Sequence, residues 1–218
     1  MNLVFDLDGT LTDPELGISR CFVYALERMG FPAPARTQLR RYIGPPLRQV
    51  FGELLATSDS ALIESGVAVY RERFGEVGLY ENELYSGTAE GIRYLAKSGH
   101  RLFVATVKPQ VYARRIVEHF KLEQHFVGVY GAELSGAGSQ KSELLARLLV
   151  EQGIEPGESV MIGDRGSDIS GARVNGLRAV GVLWGYGTAE ELADADLQVG
   201  TWGELVREVD GMNARGSS

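Results

Sequence analysis

The sequence predicts an α/β fold: a parallel sheet with helices on both faces, and a small all-helical unit inserted after the first strand. Three observations predict it. From Tyr85 onward, short apolar runs alternate with amphipathic helical patterns, as parallel strands covered on both faces require. An apolar run at Leu3–Phe5 cannot satisfy its backbone groups alone, so it belongs with the later strands. Between Pro14 and about Leu84 no run reads as a strand. The expected organisation is a sheet domain made of 1–13 and 84–218, with a helical domain over 14–83.

The elements follow in chain order. Leu3–Phe5 reads as a buried strand. Ile18, Phe22, Ala25, Leu26 and Met29 share one helical face, and Gly30 stops the helix. Leu47, Val50, Phe51, Leu54 and Leu55 mark a second helix. Ile63, Val67, Tyr70 and Phe74 mark a third, capped by Ser58 or Asp59. A helix from about Thr88 to Ser98 ends at Gly99, and RLFVAT follows as a strand. Ala113, Ile116, Val117 and Phe120 give the next helix, and FVGVY the next strand. Leu144, Leu145, Leu148 and Leu149 define a helix before the strand SVMIG. A short helix ends near Gly176, and RAVGVL is a strand. The closing NARGSS reads as a loose tail.

Composition narrows the function. The 218 residues are 44% hydrophobic, ample for a core. Against 29 Asp plus Glu stand 22 Lys plus Arg, a formal net charge of −7. No basic stripe is interleaved with aromatics, so no nucleic acid polymer is expected as a partner. No apolar run approaches the roughly 18 to 20 residues of a membrane helix. MNLVF is too short for a signal-peptide core. A cytoplasmic protein, monomeric or homodimeric, is expected. A lone cysteine, Cys21, sits among apolar residues at helical spacing and reads as a core residue.

The strand ends carry the chemistry, because ligands of open parallel sheets bind outside the carboxyl ends of the strands. Strand one delivers Asp6 and Asp8, then Gly9 and Thr10; RLFVAT delivers Thr106, with Lys108 just beyond. SVMIG delivers Asp164 and, four residues on, Asp168, while Lys141 lies near the start of the preceding helix. Four close carboxylates repel, and a divalent cation resolves the repulsion. All-oxygen ligands without a His or Cys cluster point to Mg²⁺. A carboxylate-held cation beside a Lys and a Thr suits a phosphoryl group. Asp6 would attack phosphorus to form an aspartyl-phosphate. Gly9 permits a sharp turn that aims Asp8 inward, where it would protonate the leaving oxygen and then activate water.

DLDGT at Asp6–Thr10, a strand ending in Thr106, the downstream Lys141 and GDxxxD from Gly163 to Asp168 resemble the four motifs of the haloacid dehalogenase-like superfamily. The helical insertion resembles the cap of its first subclass. DGTLTDP, IGPPL at Ile43–Leu47, YRERF at Tyr70–Phe74 and VKP at Val107–Pro109 are similar to the phosphoglycolate phosphatase-like group, some of whose members are described as 5′-nucleotidases. The resemblance implies a Rossmann-like core, cap-gated access and a Mg²⁺-dependent phosphatase acting on a small phosphorylated metabolite. It implies that Asp6, the backbone carbonyl of Asp8, Asp164 and Asp168 hold the metal, the last directly or through an intermediary. Substrate contacts fall on Gly9, Thr10, Val107 and Lys108, and Lys141 ranks above Lys108 as the phosphate-binding lysine.

Some features depart from that pattern. Val107 stands where the group often has Ser, removing a polar contact, and Ser86 stands where the family often has Pro, loosening a hinge. The loop Gly136–Gln140 lacks the GK[ST] ending of a phosphate-binding loop and reads as a flexible approach to Lys141. His100, His119 and His125 show no metal-ligand grouping and read as surface or structural residues. Around Gly44-Pro45-Pro46, Arg41 and Arg48 are candidates to grip a substrate carboxylate or second charge, with a solvated role as the alternative. Trp184, Tyr186 and the glycines of WGYG, Gly185 and Gly187, either line the cleft edge or pack in the core. Two other functions share parts of this pattern: a sugar phosphomutase, and a phosphoacceptor signalling domain, which needs neither Asp8 nor a cap.

Overall fold

The computed structural model describes residues 1–216; Ser217 and Ser218 of the expected tail lie outside them. Its contacts divide the chain into two compact units, 1–12 with 84–218, and 13–83.

The first unit is a six-stranded sheet, every pairing parallel, in the order β5-β4-β1-β6-β7-β8. Its strands are β1 (Asn2–Phe5), β4 (Arg101–Pro109), β5 (Phe126–Ala132), β6 (Ser159–Gly163), β7 (Arg178–Val182) and β8 (Leu197–Val199). Helices α5 (Thr88–Lys97), α6 (Gln110–His119), α7 (Lys141–Gln152), α8 (Gly166–Val174) and α9 (Trp202–Gly216) connect or follow them. All four residues of β1 are buried, as a central parallel strand demands, which is why the run is apolar without alternation. On one face Val4, Phe103, Met161 and Ala179 pack with Leu145 and Leu148 of α7 and Ile169 and Ala172 of α8. On β1, the alternate residue Phe5 stacks on Trp202 of α9, with ring centroids 6.0 Å apart.

The order positions the site. From β1 the chain builds outward through β4 and β5, then returns to β1's other side for β6. The strand order therefore reverses between β1 and β6, the place where open α/β sheets leave a crevice. Phe5 pairs with Ile162 there, so residues 6 and 163 onward leave the sheet side by side.

The second unit contains α1 (Glu15–Arg28), α2 (Arg36–Leu39), α3 (Leu47–Leu54) and α4 (Ser60–Glu76). Phe22, Phe51, Tyr70 and Phe74 form a chain of ring contacts at 4.9–6.2 Å. Asp59, rather than Ser58, caps α4, its carboxylate accepting from Ala61 N–H at 2.9 Å. Cys21 is buried on α1. Two short strands, β2 (Thr12–Asp13) and β3 (Glu83–Leu84), form a separate two-stranded sheet. Two residues each give no periodicity, so they escaped the sequence reading.

Other differences have similar causes. β4 continues past RLFVAT to Pro109, carrying Val107 and Lys108 within the strand. α9 takes in Asn213–Gly216, which read as tail. Trp202, Leu205, Val209 and Met212 are its buried stripe, at helical spacing, and anchor it. Among the described residues, no helix is long and apolar enough to cross a membrane.

Candidate active site

The turn after β1 builds the first half of the site. Asp6 N–H extends the pairing by donating to Ile162 O at 2.9 Å. The chain then folds on itself: Leu11 and Thr12 N–H both donate to Leu7 O, at 2.9 and 3.0 Å, and Gly9 N–H donates to Thr12 O at 2.8 Å. Gly9 has φ +87°, and a Cβ there would stand 2.2 Å from Asp164 Oδ2. Only glycine meets both demands. Asp6 is 6% exposed, deep enough that its charge needs compensation.

That compensation comes from the first turn of α7. Lys141 Nζ lies 2.9 Å from Asp6 Oδ1 and 2.8 Å from Asp168 Oδ1, and donates to Ala105 O at 2.7 Å. Three partners match the three N–H bonds of an ammonium, so the group is fixed in direction. Burial by itself would lower Lys141, but the carboxylates of Asp168 and Asp6 outweigh it and hold the amine above its ordinary value. Lys108 has a different role from the start. Its Nζ sits 2.7 Å from Asp8 Oδ2. Asp8 Oδ1 is buried without a hydrogen-bond partner among the described residues. Burial raises the Asp8 carboxyl, against the attraction of Lys108 and with the help of Asp6.

The β6–α8 turn completes the cluster. Asp164 accepts from Thr10 Oγ1 at 3.2 Å and from Tyr186 N–H at 2.9 Å. Asp168, in the first turn of α8, accepts Arg165 N–H at 3.0 Å through Oδ2. Burial, reinforced by repulsion from Asp6 and Asp168, pushes Asp164 up to about 8. Burial also raises Asp168, to about 6, although Lys141 opposes it.

Asp6, Asp164 and Asp168 each offer a ligand oxygen, and these lie within 4.8 Å of one another. With half-buried Asp8, four carboxylates face two ammonium groups, so carboxylates outnumber cations by two. The donors are all hard oxygens, and with all four ionised the surplus equals the charge of a divalent cation. The residues therefore fit Mg²⁺.

Eight of the expected residues thus meet in one place: Asp6, Asp8, Gly9, Thr10, Lys108, Lys141, Asp164 and Asp168. Thr106 is buried at the same strand ends, where its Oγ1 accepts Lys108 N–H at 3.3 Å. Val107 is half-buried on β4. Gln140 ends the glycine-containing loop as the N-cap residue of α7. Arg41 and Arg48 lie in the helical unit and are engaged there. Arg48 forms a two-pronged pair with Glu64, and Arg41 donates to Tyr42 Oη at 2.6 Å while its guanidinium lies over that ring. His100 is buried, so its role is structural rather than superficial. Sequence reasoning did not assign Glu191, and left Trp184, Tyr186 and the glycines Gly185 and Gly187 open. The Trp184–Gly187 loop lies against Asp164 and Gly9, and its signal was a glycine-bracketed tyrosine directly after a buried strand.

Comparison with known proteins agrees with this architecture. A family model described as haloacid dehalogenase-like hydrolase matches residues 3–182. A 5′-nucleotidase of Pseudomonas aeruginosa is 44% identical over 88% of this chain and 86% of its own length. The tyrosine-protein kinase PtkA of Mycobacterium tuberculosis is 36% identical over 95% of this chain and 70% of its own. A solved structure described as a predicted phosphatase from Clostridium acetobutylicum superposes with a TM-score of 0.90 at 34% identity, covering 95% of this chain and 97% of that one. With the match spanning both acidic turns and the lysine between them, the chain belongs to the haloacid dehalogenase-like hydrolase family.

Proposed function

We propose that this chain is a Mg²⁺-dependent phosphomonoesterase that works through an aspartyl-phosphate on Asp6. The observation that carries the reading is Lys141 Nζ held between Asp6 and Asp168, with one oxygen each of Asp6, Asp164 and Asp168 within 4.8 Å of one another. Asp6, Asp164, Asp168 and the backbone carbonyl of Asp8 would hold Mg²⁺. When bound, the ion supplies charge neutralisation for the phosphoryl oxygens and the attacking carboxylate.

The residues of the chain divide the remaining work. Asp6 attacks phosphorus, and the bond to the leaving oxygen breaks. Asp8 donates its proton to that oxygen, then takes one from the water that cleaves the acyl phosphate, returning Asp6 to a carboxylate. Lys108, 2.7 Å from Asp8, orients its carboxyl. Thr106, with the backbone of Gly9 to Thr10 and of Val107, binds the phosphoryl oxygens, and Lys141, its three N–H bonds already engaged, attracts the phosphate by its charge. The helical unit acts as the specificity cap, with Arg41 and Arg48 as its candidate contacts for a second substrate charge.

The substrate is a small phosphorylated metabolite. Resemblance to the 5′-nucleotidase favours a nucleoside 5′-monophosphate, and group motifs such as VKP keep 2-phosphoglycolate beside it. The test is turnover of p-nitrophenyl phosphate with and without Mg²⁺, then a panel of nucleoside monophosphates, 2-phosphoglycolate and sugar phosphates. Mg²⁺-dependent phosphate release is expected. No release, with a long-lived phosphoprotein instead, would sink hydrolysis in favour of a phosphoacceptor role, and isomerised sugar phosphate would favour a mutase. The similarity to the kinase-named relative favours one further reading, phosphoryl transfer to tyrosine, which phosphotyrosine detection after incubation with ATP would reveal.

A further inference from the structure

We infer that Trp184–Glu191 is a positioning strap that sets the Mg²⁺ affinity of the site, an inference that rests on the metal reading above. One short segment is tied to both acidic turns. Trp184 Nε1 donates to Thr10 O at 3.0 Å, and Thr10 Oγ1 in turn donates to Asp164 Oδ1 at 3.2 Å. Tyr186 N–H donates to Asp164 Oδ2 at 2.9 Å. Glu191 Oε1 accepts from Gly166 N–H at 2.8 Å and from Arg165 Nε at 2.9 Å, fixing the start of the helix that carries Asp168.

The glycines show how closely the strap runs. A Cβ on Gly185 would lie 2.4 Å from both Gly9 O and Asp164 Cβ, and one on Gly187 would lie 1.9 Å from Asp164 O. A segment that only closed the fold would be satisfied by apolar packing. Here Tyr186 N–H of the strap ends on one oxygen of the ligand carboxylate, and Thr10, held by Trp184, supplies the donor to the other, which leaves each oxygen a second lone pair for a cation. Partners of this kind orient a ligand before the metal arrives, and their loss commonly weakens binding.

The test is calorimetric titration of MgCl₂ into the chelator-stripped full chain, for the unsubstituted protein and for Trp184→Phe, Glu191→Ala and Glu191→Gln. Trp184→Phe keeps an aromatic ring to face Trp202, whose ring centroid lies 5.8 Å away, but removes the N–H together with the five-membered ring, so its loss of packing is read separately, from the thermal midpoint. Trp184→Phe and Glu191→Ala should each weaken Mg²⁺ about tenfold. Glu191→Gln should recover most of the loss, because its amide oxygen still accepts from Gly166. Thermal midpoints in EDTA separate the two roles: a packing element would shift the midpoint and leave the Mg²⁺ affinity intact. Unchanged affinity in both Trp184→Phe and Glu191→Ala would overturn the strap alone. Absence of Mg²⁺ binding to the unsubstituted protein would overturn the metal reading and the strap with it.

Discussion

The two units each hold a cluster of ionised groups, and the clusters are built on opposite principles. In the helical unit, Glu81 lies between two arginines. Arg73 donates to both of its oxygens at 2.7 and 3.0 Å, and Arg20 adds a contact at 2.6 Å. Cation charge exceeds anion charge there, and every Glu81 oxygen is satisfied. In the sheet unit, carboxylates outnumber ammonium groups, and burial with mutual repulsion drives Asp164 up to about 8. The first arrangement lowers the free energy of the folded chain by its own contacts. The second leaves carboxylates that the neighbouring lysines do not neutralise. Saturated ion pairs hold a fold together, whereas a buried surplus of one sign marks where chemistry happens.

That contrast is open to direct attack. The largest effect should come from Asp6→Asn, which removes the proposed nucleophile and should abolish p-nitrophenyl phosphate turnover while circular dichroism shows a folded chain. Substantial residual turnover would remove Asp6 from that role. Next is Lys141→Met, which leaves Asp6 and Asp168 facing each other without their shared ammonium. Breaking a buried pair in this way costs about 3–5 kcal/mol, so both turnover and the thermal midpoint should fall. A variant as stable as the parent would contradict the charge accounting.

Glu81→Gln belongs to the other cluster and should do the reverse. Losing charged hydrogen bonds costs about 1–3 kcal/mol, yet turnover per folded molecule of p-nitrophenyl phosphate should hold. Its pH dependence has a definite sign. Hydrogen bonds from Arg73, then from Arg20, lower the Glu81 carboxyl below its ordinary 4.5. Its stabilisation is therefore complete above that value and drains away as pH falls through the lower folded one. Urea midpoints at pH 7 and pH 3 should differ less in Glu81→Gln than in the parent. The smallest effect is expected from Arg48→Ala, since its pair with Glu64 is exposed. Stability should be unchanged. A raised KM for a doubly charged substrate, but not for p-nitrophenyl phosphate, in Arg41→Ala/Arg48→Ala would support the cap-specificity reading; an unchanged KM for every phosphomonoester tested would end it.

Much of this was legible in the sequence for physical reasons. Leu3–Phe5 and SVMIG are buried on both faces, so their apolar runs stand out, and the carboxylates that follow them mark the sheet's working edge. Lys141 was legible by order along the chain, although only the structure puts its Nζ between Asp6 and Asp168. What stayed hidden depends on contacts distant in sequence. Trp184 reaches Thr10 across 174 positions, and a backbone N–H such as that of Tyr186 leaves no trace in residue type. β2, β3 and β8 have only two or three residues each, too short for a period to register. The pairing of Arg48 with Glu64 is equally silent, because sixteen positions separate two ordinary surface residues.

Four carboxylates, three of them buried, set against two lysines form the proposed seat for a divalent cation. Thermal denaturation of the metal-free full chain against increasing MgCl₂, with NaCl at matched ionic strength as the control, tests it most directly. At a hundred times the dissociation constant, a ligand of the folded state adds about 2.7 kcal/mol. For a chain of this length that is a rise of about 5–10 °C in the midpoint. The account predicts that rise with MgCl₂ and none with NaCl. A midpoint that ignores Mg²⁺, or that follows NaCl equally well, would contradict it.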